Sequence, residues 1–579
     1  MRASEVRAAP VATLERLRIA ALLALAIGVF GIVARDVAAH VGMAQPNRVS
    51  SNVFFRLYVL HEGPFLWLLA LAAALAWMSA ARVREGERSG WGVRAMAMAA
   101  RVPTWTAALA VLAMTLVGGA VLLHGIGLSM DEFTASFQAR IFASGRLQAT
   151  VPTEWRELAP WMTPVFVNYK PVSGVWVSSY LPGYAAIRAI FALAGAESLT
   201  NPALAALTVA LLVAVARRMW AGDRAVRGAT LALLFLVLSA QFLVTSMSAY
   251  SMTAHLCLNL LWLWLYLRND KVALAAAPWV GVLALGLHNP IPHALFVAPF
   301  LVRLLRERRF AWVAYSGVVY LAGAIGWYQW LEFVQTDVSG AGAVIGAGVV
   351  GDGLGGGVAH TFALPGLFRW FVQGMSLSLL FSWQTPAVAL FLPIAFIGWR
   401  RLSPTERDLA AGLIGTWLFH AFFNADQGHG WGYRYMHAVL GNVVLLAASG
   451  AEEVWRGGRE ALVGRLVVAS ALLTVALQWP VRAVQTERFV RPYAAALEHV
   501  ATRPAEVVTV DPWSAWYARD FVRNDPFLAA TPKVVGLRLV GGRWPDPGGL
   551  PGSARGRVYP LTAKDLAGLG VPVFEPTRR

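Results

Sequence analysis

Long apolar runs separated by short polar loops dominate the hydrophobic pattern of this chain up to about residue 480. A helix of about 20 apolar residues crosses the hydrocarbon core of a bilayer, so each long run predicts a membrane span. The pattern therefore predicts an α-helical polytopic membrane protein with thirteen transmembrane helices. The predicted spans cover about residues 19–34, 64–80, 104–123, 203–219, 229–245, 252–267, 272–287, 290–305, 310–331, 376–399, 409–424, 436–450 and 463–479.

The composition agrees with a membrane protein and argues against other classes. Hydrophobic residues make up 57% of the chain and charged residues only 14%. The net charge of +17 is compatible with nucleic-acid binding in principle. We favour a different reason, because membrane proteins concentrate arginine in their cytoplasmic loops, and we predict no nucleic-acid partner. The single cysteine, Cys257, excludes an intramolecular disulfide.

The arginines are concentrated in alternate loops, which predicts the orientation of the chain. The loop between the second and third predicted spans, residues 81–103, is rich in arginine and is placed in the cytoplasm with the N-terminus. The loop after residue 124 and the C-terminal tail are then external. Segment 183–194 is short and interrupted by Arg188, so we interpret it as a juxtamembrane or re-entrant helix on the outer side. The excess of arginine over lysine favours a bacterial protein, so the predicted location is the bacterial cytoplasmic (inner) membrane.

The chain changes character after about residue 482, where the long apolar runs end. We predict a small external α/β domain there, with helices over Tyr493–Ala501 and Thr562–Leu569 and strands over Val507–Val510 and Val534–Val540. The predicted organisation has four parts. They are N-terminal spans 1–124, an external loop 125–202, a transmembrane core 203–480 with a Gly-rich external loop 332–375, and an external α/β domain 481–579.

Two adjacent carboxylates, Asp131 and Glu132, open the first large external loop. Phe133, Phe137 and Ile141 follow at helical spacing, which predicts an amphipathic helix in the plane of the membrane interface. Ser129-Met-Asp-Glu132 fits a capping box, in which Glu132 binds back to the helix start and Asp131 stays free for chemistry. In the alternative interpretation both acids only stabilise the helix N-terminus. Asp131 and Glu132 are the candidate catalytic residues.

Most of the unusual polar residues fall in the predicted outer loops, which indicates a site at one face of the membrane. The tight ligand spacing of a protein-bound metal is absent from them. Gly346-Ala-Gly-Val-Val-Gly351 matches a dinucleotide-binding pattern, but it has no strand–helix context and is interpreted as a flexible loop. The polar outer stretches are 131–132, 170–184, 246–255, 288–293 and 424–437.

The order of these motifs resembles the GT-C membrane glycosyltransferases over roughly residues 100–450. The branch of protein O-mannosyltransferases and lipid A aminoarabinose transferases is similar in having an acidic pair, then a Tyr-Pro-Pro-Gly-like motif, then a late Gly-x-Arg-Tyr motif. Here Tyr180-Leu-Pro-Gly183 and Gly432-Tyr-Arg-Tyr435 correspond to the later two. Two features differ from that branch. Three predicted spans precede the acidic pair, and no lysine lies beside the proline, since Ser179 precedes Tyr180.

The resemblance implies transfer of a sugar from a polyprenyl-phosphate donor to an external glycan, lipid or protein acceptor, with inversion and Asp131 as general base. Arg434 is the first candidate for binding the donor phosphate, because a guanidinium pairs with phosphate in bidentate fashion. No cofactor is implied with certainty. Some relatives bind a divalent cation, so metal dependence stays an open alternative. The further candidate substrate-binding residues are Lys170, His437, Tyr180, Tyr435, Asp426 and His429.

Two other functions fit the same pattern. One is a flippase or transporter of lipid-linked sugars, and the other is a cell-envelope scaffold whose external domain binds a partner. An Asp131→Asn protein that still moves substrate but forms no glycosidic bond would favour the transporter. Absence of any substrate dependence would favour the scaffold.

Overall fold

The computed structural model describes residues 2–44, 53–82, 90–337, 364–423, 427–537 and 557–573, and the structural statements below concern those residues. Helices predominate, and two small sheets lie outside the helical core. The helices of the first half are α1 (Arg2–Ala44), α2 (Val53–His61), α3 (Gly63–Arg82), α4 (Trp91–Ala99), α5 (Thr104–Val121), α6 (Met130–Ala143), α7 (Ala159–Met162), α8 (Gly183–Leu193), α9 (Thr200–Met219), α10 (Gly222–Val237) and α11 (Ala240–Met247).

The second half continues the helical core and ends in a small domain that contains strands. Its helices are α12 (Met252–Arg268), α13 (Lys271–Leu285), α14 (Ile291–Arg306), α15 (Phe310–Gln335), α16 (Leu367–Ser382), α17 (Pro386–Ile397), α18 (Pro404–Phe422), α19 (Leu440–Arg456), α20 (Glu460–Leu473), α21 (Trp479–Ala501) and α22 (Ala563–Gly568). The strands are β1 (Ala149–Thr150), β2 (Val167–Lys170), β3 (Val175–Ser178), β4 (Val507–Val510), β5 (Lys533–Gly536) and β6 (Val558–Leu561).

The described residues contain seven helices long and apolar enough to cross a bilayer, or up to nine if each of two bent pairs is one span. Those pairs are α10 with α11, bent by 56°, and α16 with α17, bent by 118°. The fold is thus that of a polytopic helical membrane protein. The number thirteen stays a prediction, because α12, α13 and α14 have only 15–17 residues and extend about 25 Å at 1.5 Å per residue.

Local capping chemistry explains where several core helices begin and end. Asn269 adopts the left-handed conformation, with φ 57°, and ends α12. The carboxylate of Asp270 then accepts from the Ala273 amide at 2.9 Å and starts α13. At α18, Ser403 and Glu406 form a capping box around Pro404 at the first position of the helix. These signals are readable in the sequence because each depends on neighbouring residues only.

The loop between α6 and α8 forms a layer outside the helical core with a small antiparallel sheet in the order β1-β3-β2. Trp176 of β3 pairs with Ala149 on one side and Tyr169 on the other. We did not predict these strands. The run Val175-Trp-Val177 is the sequence signal that favours a strand here. The turn before it ends at Gly174, whose backbone is in the left-handed region. Trp176 is fully buried and donates to the Pro526 carbonyl at 2.7 Å, which joins this layer to the C-terminal domain.

The apolar face of α6 is covered by protein and not by lipid, which corrects our prediction of a helix lying in the membrane interface. Phe137 and Ile141 are buried in a cluster with Trp155 and Trp176. The rings of Phe137 and Trp176 meet edge to face, with centroids 5.6 Å apart. The periodicity correctly predicted a helix, but it could not show whether protein or lipid would cover the apolar face.

The C-terminal domain has a parallel sheet in the order β5-β4-β6, in which Val508 pairs with Val534 and with Tyr559. The predicted strand at Val507–Val510 is confirmed, whereas β6 was not predicted. The predicted helix start at Tyr493 is wrong, because α21 begins at Trp479 and continues through Pro492. Residues before Pro492 pack into the protein, which keeps the helix intact across the proline. The part of the predicted second strand after residue 537 and most of the Gly-rich loop lie outside the described residues.

A buried ion pair joins the N-terminal part of α21 to the turn between α2 and α3. Both guanidinium nitrogens of Arg482 donate to the carboxylate of Glu62 at 2.7 Å, and both side chains are at most 3% exposed. The guanidinium carbon lies 3.7 Å from the ring centre of Phe65 and 4.0 Å from that of Trp383. Removing one partner would leave an unpaired buried charge, so this contact holds the helix that leads into the C-terminal domain against α2 and α3.

Candidate active site

Asp131 is the second residue of α6, and its carboxylate is bound by two groups from distant parts of the chain. The Tyr180 hydroxyl donates to one oxygen at 2.5 Å, and Nη1 of Arg434 donates to the other at 3.1 Å. The side chains of Asp131 and Arg434 are 18% and 17% exposed, so the pair is mostly buried but not sealed. The structure therefore brings three of the sequence-predicted site residues together.

The surroundings of Asp131 keep it ionised. Burial by itself would raise the pKa of Asp131, but the charge of Arg434, the nearby His288 and the Tyr180 hydrogen bond hold it below its usual range. Burial and the neighbouring carboxylate raise the pKa of Tyr180 well above its ordinary value, so its phenol stays a hydrogen-bond donor. The resting site is thus a carboxylate with one neutral and one cationic donor.

Glu132 points away from this pair and caps the helix. Its carboxylate accepts from the Ser129 amide at 2.9 Å and the Ser129 hydroxyl at 3.2 Å, and its other oxygen accepts from the Ala249 amide at 3.0 Å. The residue is 1% exposed. Burial raises the pKa of Glu132 against the opposing effect of these hydrogen bonds. Two of these bonds close the helix cap at Ser129 and the third reaches the distant Ala249 amide, which favours the capping interpretation for this residue.

We expect Glu132→Gln to lower the thermal unfolding temperature. A glutamine has one acceptor oxygen, so its amide group would face an N–H donor that the carboxylate now binds. A buried unsatisfied donor costs about 1–3 kcal/mol. Melting curves of the detergent-purified protein would measure the shift, with Glu154→Gln, a change at an exposed residue of the same layer, as control. Equal melting temperatures for both variants would contradict a capping role.

The backbone around Arg434 is held by two glutamines. The Gln427 side chain accepts from the Arg434 amide at 3.0 Å, and the Gln241 side chain accepts from the Tyr433 amide at 3.2 Å. Gly432 directly precedes Tyr433 and has φ 75°. A Cβ at Gly432 would meet the Gln241 side-chain oxygen at 2.6 Å. Glycine is therefore favoured at the start of the Gly-x-Arg-Tyr motif, because other residues rarely adopt this φ and a side chain there would collide with Gln241.

The Arg434 guanidinium lies between two aromatic rings and keeps an unused donor. Its central carbon is 5.5 Å from the ring centre of Tyr250 and 5.6 Å from that of Tyr435. Nη1 also donates to the His429 carbonyl at 3.1 Å. Nε is buried and has no hydrogen-bond partner among the described residues. The arrangement suits a cation held in place by π-faces and available to an anionic ligand.

His429 lies beside this cation as a neutral group. Its Nδ1 is 3.1 Å from the Tyr250 hydroxyl, and its ring stacks on Phe489 with centroids 5.4 Å apart. Burial, together with the charge of Arg434, lowers the pKa of His429 to about 3. Its Nε2 is buried without a partner in the described part of the chain. His429 can therefore accept or donate one hydrogen bond, but it carries no charge at neutral pH.

Lys170 contacts neither Asp131 nor Arg434 in the described structure. Its ammonium group donates to the Phe333 carbonyl near the end of α15 and lies 4.4 Å from the centre of the Phe333 ring. Asn168 from the same strand donates to the next carbonyl, that of Val334, at 2.9 Å. A cation at a helix C-terminus is favourable, so these contacts give Lys170 a structural role. Burial lowers the pKa of Lys170.

The remaining predicted residues fall in different places. The ring of Tyr435 stacks on His420 with centroids 4.3 Å apart and 11° between planes. His437 is completely buried, and neither ring nitrogen has a partner among the described residues. Asp426 lies outside the described residues. Tyr435 therefore belongs to the packing of Arg434, whereas His437 shows no contact with the Asp131 carboxylate.

Tyr250 and His288 lie in the site, although neither was among the candidate site residues predicted from the sequence. The rings of His288 and Tyr180 have centroids 4.0 Å apart, and Tyr250 contacts both Arg434 and His429. Tyr250 and His288 belong to the polar stretches 246–255 and 288–293, but nothing in their spacing distinguishes them from their neighbours. The described residues include no group of three or more His, Cys, Asp or Glu that could hold a metal ion.

Known protein structures include two that are similar to this chain. No protein-family model matches the chain, and no curated protein sequence matches it. The chain is similar to the crystal structure of ArnT from Cupriavidus metallidurans bound to undecaprenyl phosphate, with 15% identity, a TM-score of 0.47, and coverage of 72% of this chain and 85% of that one. The apo structure of ArnT gives 15% identity, a TM-score of 0.46, and coverage of 72% and 84%.

Proposed function

We propose that this protein is an integral-membrane glycosyltransferase that moves a sugar from a polyprenyl-phosphate donor to a hydroxyl of an external acceptor. One observation carries the proposal. Asp131 and Arg434, 303 positions apart, form a partly exposed carboxylate–guanidinium pair at the N-terminal end of α6. A base and a phosphate-binding cation side by side are what this transfer requires. The motif resemblance to the GT-C enzymes and the undecaprenyl phosphate bound in the ArnT crystal structure suggest the donor class.

The reaction divides between the two residues. The acceptor hydroxyl gives its proton to the Asp131 carboxylate while its oxygen forms a bond to the anomeric carbon. The bond between that carbon and the phosphate oxygen breaks on the opposite face, so the configuration inverts. The polyprenyl phosphate leaves with the electron pair, and Arg434 neutralises the added charge. Phosphate is a good leaving group, so the site needs no second carboxylate as proton donor.

The ion pair also couples donor binding to the strength of the base. Without substrate, Arg434 stabilises the charge of Asp131 and makes it a weak base. A donor phosphate competes for the same guanidinium, and its own charge lies near the carboxylate. Both effects raise the pKa of Asp131, so the base strengthens when the donor is in place. Tyr180 keeps the carboxylate oriented while this happens.

A deletion strain complemented with wild-type or Asp131→Asn protein tests the function. Mass spectrometry of lipids, glycans and proteins should find a glycoconjugate that is missing in the deletion strain and restored only by the wild type. Equal restoration by both proteins would show that Asp131 is not the base and would favour the transporter over a glycosyltransferase that uses this residue. Restoration of a lipid-linked sugar to the outer leaflet without any glycosidic product would also favour the transporter.

We place the Asp131 site and the C-terminal domain on the external face. Cysteine introduced at Thr150 or Trp513 should react with a membrane-impermeant maleimide in intact spheroplasts, and cysteine at Asp223 should react only after lysis. The native Cys257 is fully buried, so its background should be low. Labelling of Asp223→Cys but not of the other two in intact spheroplasts would reverse the orientation.

A further inference from the structure

A segment of the C-terminal domain reaches the site described above and holds the turn that precedes α6. Arg523 donates to the carbonyl of Gly127 at 2.5 Å and to that of Leu128 at 2.6 Å. Its guanidinium carbon also lies 5.6 Å from the ring centre of Phe133. Both carbonyls lie within two residues of the Ser129 cap. The position of Asp131 thus depends on a side chain from the last hundred residues of the chain.

Tyr517 of the same segment has a backbone conformation that bulky residues rarely adopt. Its φ is 56°, in the left-handed region. The rings of Tyr517 and His429 meet edge to face, with an interplanar angle of 86° and centroids 6.4 Å apart. The Tyr517 hydroxyl oxygen is buried and has no hydrogen-bond partner among the described residues. Such strain and such an unused hydroxyl are typical of a binding group kept in place by the surrounding fold.

Asp520, three residues on, adds a second carboxyl group on this side of the site. Burial, with a contribution from the charge of Asp131, raises the pKa of Asp520 to about 6, while Arg523 and Arg519 oppose the rise. The Asp520 amide donates to the Tyr517 carbonyl at 2.8 Å, so the two residues belong to one tight turn. A neutral histidine, a phenol and a carboxyl group together offer hydrogen bonds in both directions, which is what a sugar with several hydroxyls needs.

We propose that Tyr517 and Asp520 bind the sugar of the lipid-linked donor, so that the C-terminal domain completes the substrate site. This inference rests on the proposed glycosyltransferase function. The Tyr517 hydroxyl is neutral and has no partner among the described residues, so it suits a sugar hydroxyl, whereas the Arg434 cation suits the phosphate. Tyr517 contacts the ring of His429, whose carbonyl accepts from Arg434 at 3.1 Å, and donor sugar and phosphate are joined through a single oxygen. Arg523 is a positioning residue, because it acts through the turn before α6.

The test uses Tyr517→Phe in the full-length protein, which removes the hydroxyl and keeps the ring. Initial rates of glycoconjugate formation in membranes of the deletion strain should fall by about 3- to 10-fold, the effect of one lost hydrogen bond. Thermal stabilisation of the purified protein by undecaprenyl phosphate, which carries no sugar, should stay the same. Asp520→Asn should behave in the same way and serves if the first variant does not fold. Tyr559→Phe, in β6, is the matched control for both measurements.

The outcomes separate this inference from the function on which it rests. A normal rate in both Tyr517→Phe and Asp520→Asn, with an inactive Asp131→Asn, would overturn the role of the C-terminal domain and leave the glycosyltransferase intact. Loss of stabilisation by undecaprenyl phosphate in Tyr517→Phe would show that this hydroxyl binds the phosphate, and would overturn the assignment to the sugar. A deletion strain that lacks no glycoconjugate would refute the function itself.

Discussion

Asp131→Asn is expected to lower turnover by about 10²–10⁴-fold, the usual contribution of a general base. The amide oxygen can still accept from Tyr180, so the orientation of the side chain is largely kept. What is lost is the ability to take the proton of the acceptor hydroxyl. Initial rates of glycoconjugate formation, normalised to folded protein, would measure the effect.

The neighbouring acid provides the comparison for Asp131. Glu132→Gln should lower the stability of the protein but change the turnover of correctly folded molecules much less. The reason is that the Glu132 carboxylate is bound by the Ser129 and Ala249 amides of the protein itself. A large turnover loss in Glu132→Gln together with a near-normal Asp131→Asn would show that the two roles are reversed. Near-normal turnover in both variants would remove this pair from the chemistry.

Arg434→Ala is expected to lower kcat/KM by about 10- to 150-fold, since a hydrogen bond to a charged group contributes roughly 1.5–3 kcal/mol. The apparent KM for the donor should rise and kcat should fall, because phosphate is bound in the ground state and gains charge in the transition state. Arg434→Lys should recover only part of the loss, since a point charge cannot make two parallel bonds. Arg491→Ala, an exposed arginine on α21, is the control.

The same variant should also change the pH dependence of the reaction. In the wild type the pKa of Asp131 is held low, so the base is ionised at neutral pH and activity falls only in acid. Without Arg434 the effect of burial on the pKa of Asp131 is no longer offset by its strongest opposing charge. The acid limb of the pH–rate profile should therefore move to higher pH. An unchanged profile with wild-type kinetics would show that Arg434 only anchors the loop.

The residues that complete the site illustrate what makes such a site hard to predict. Asp131 and Arg434 were found because each lies in a short motif whose parts are neighbours in sequence. Tyr517, Asp520 and Arg523 carry no motif of their own. They reach the site because β5 and its flanking loop pack against the layer of Trp176 and Met162, where Asn524 donates to the Met162 carbonyl at 2.7 Å.

The sequence by itself determined the features that arise from local chemistry. Apolar runs predicted the membrane helices, the Ser129–Glu132 spacing predicted the cap of α6, and the chemistry of a free acid and an arginine indicated Asp131 and Arg434. Periodicity also predicted the helix of Phe137, but only the tertiary structure decided that protein covers its apolar face. Likewise, the sequence offered Lys170 as a phosphate ligand, and the fold placed it at the end of α15. The reason is physical: helix caps and spans depend on residues a few positions apart, whereas burial and charge pairing depend on which distant segments meet.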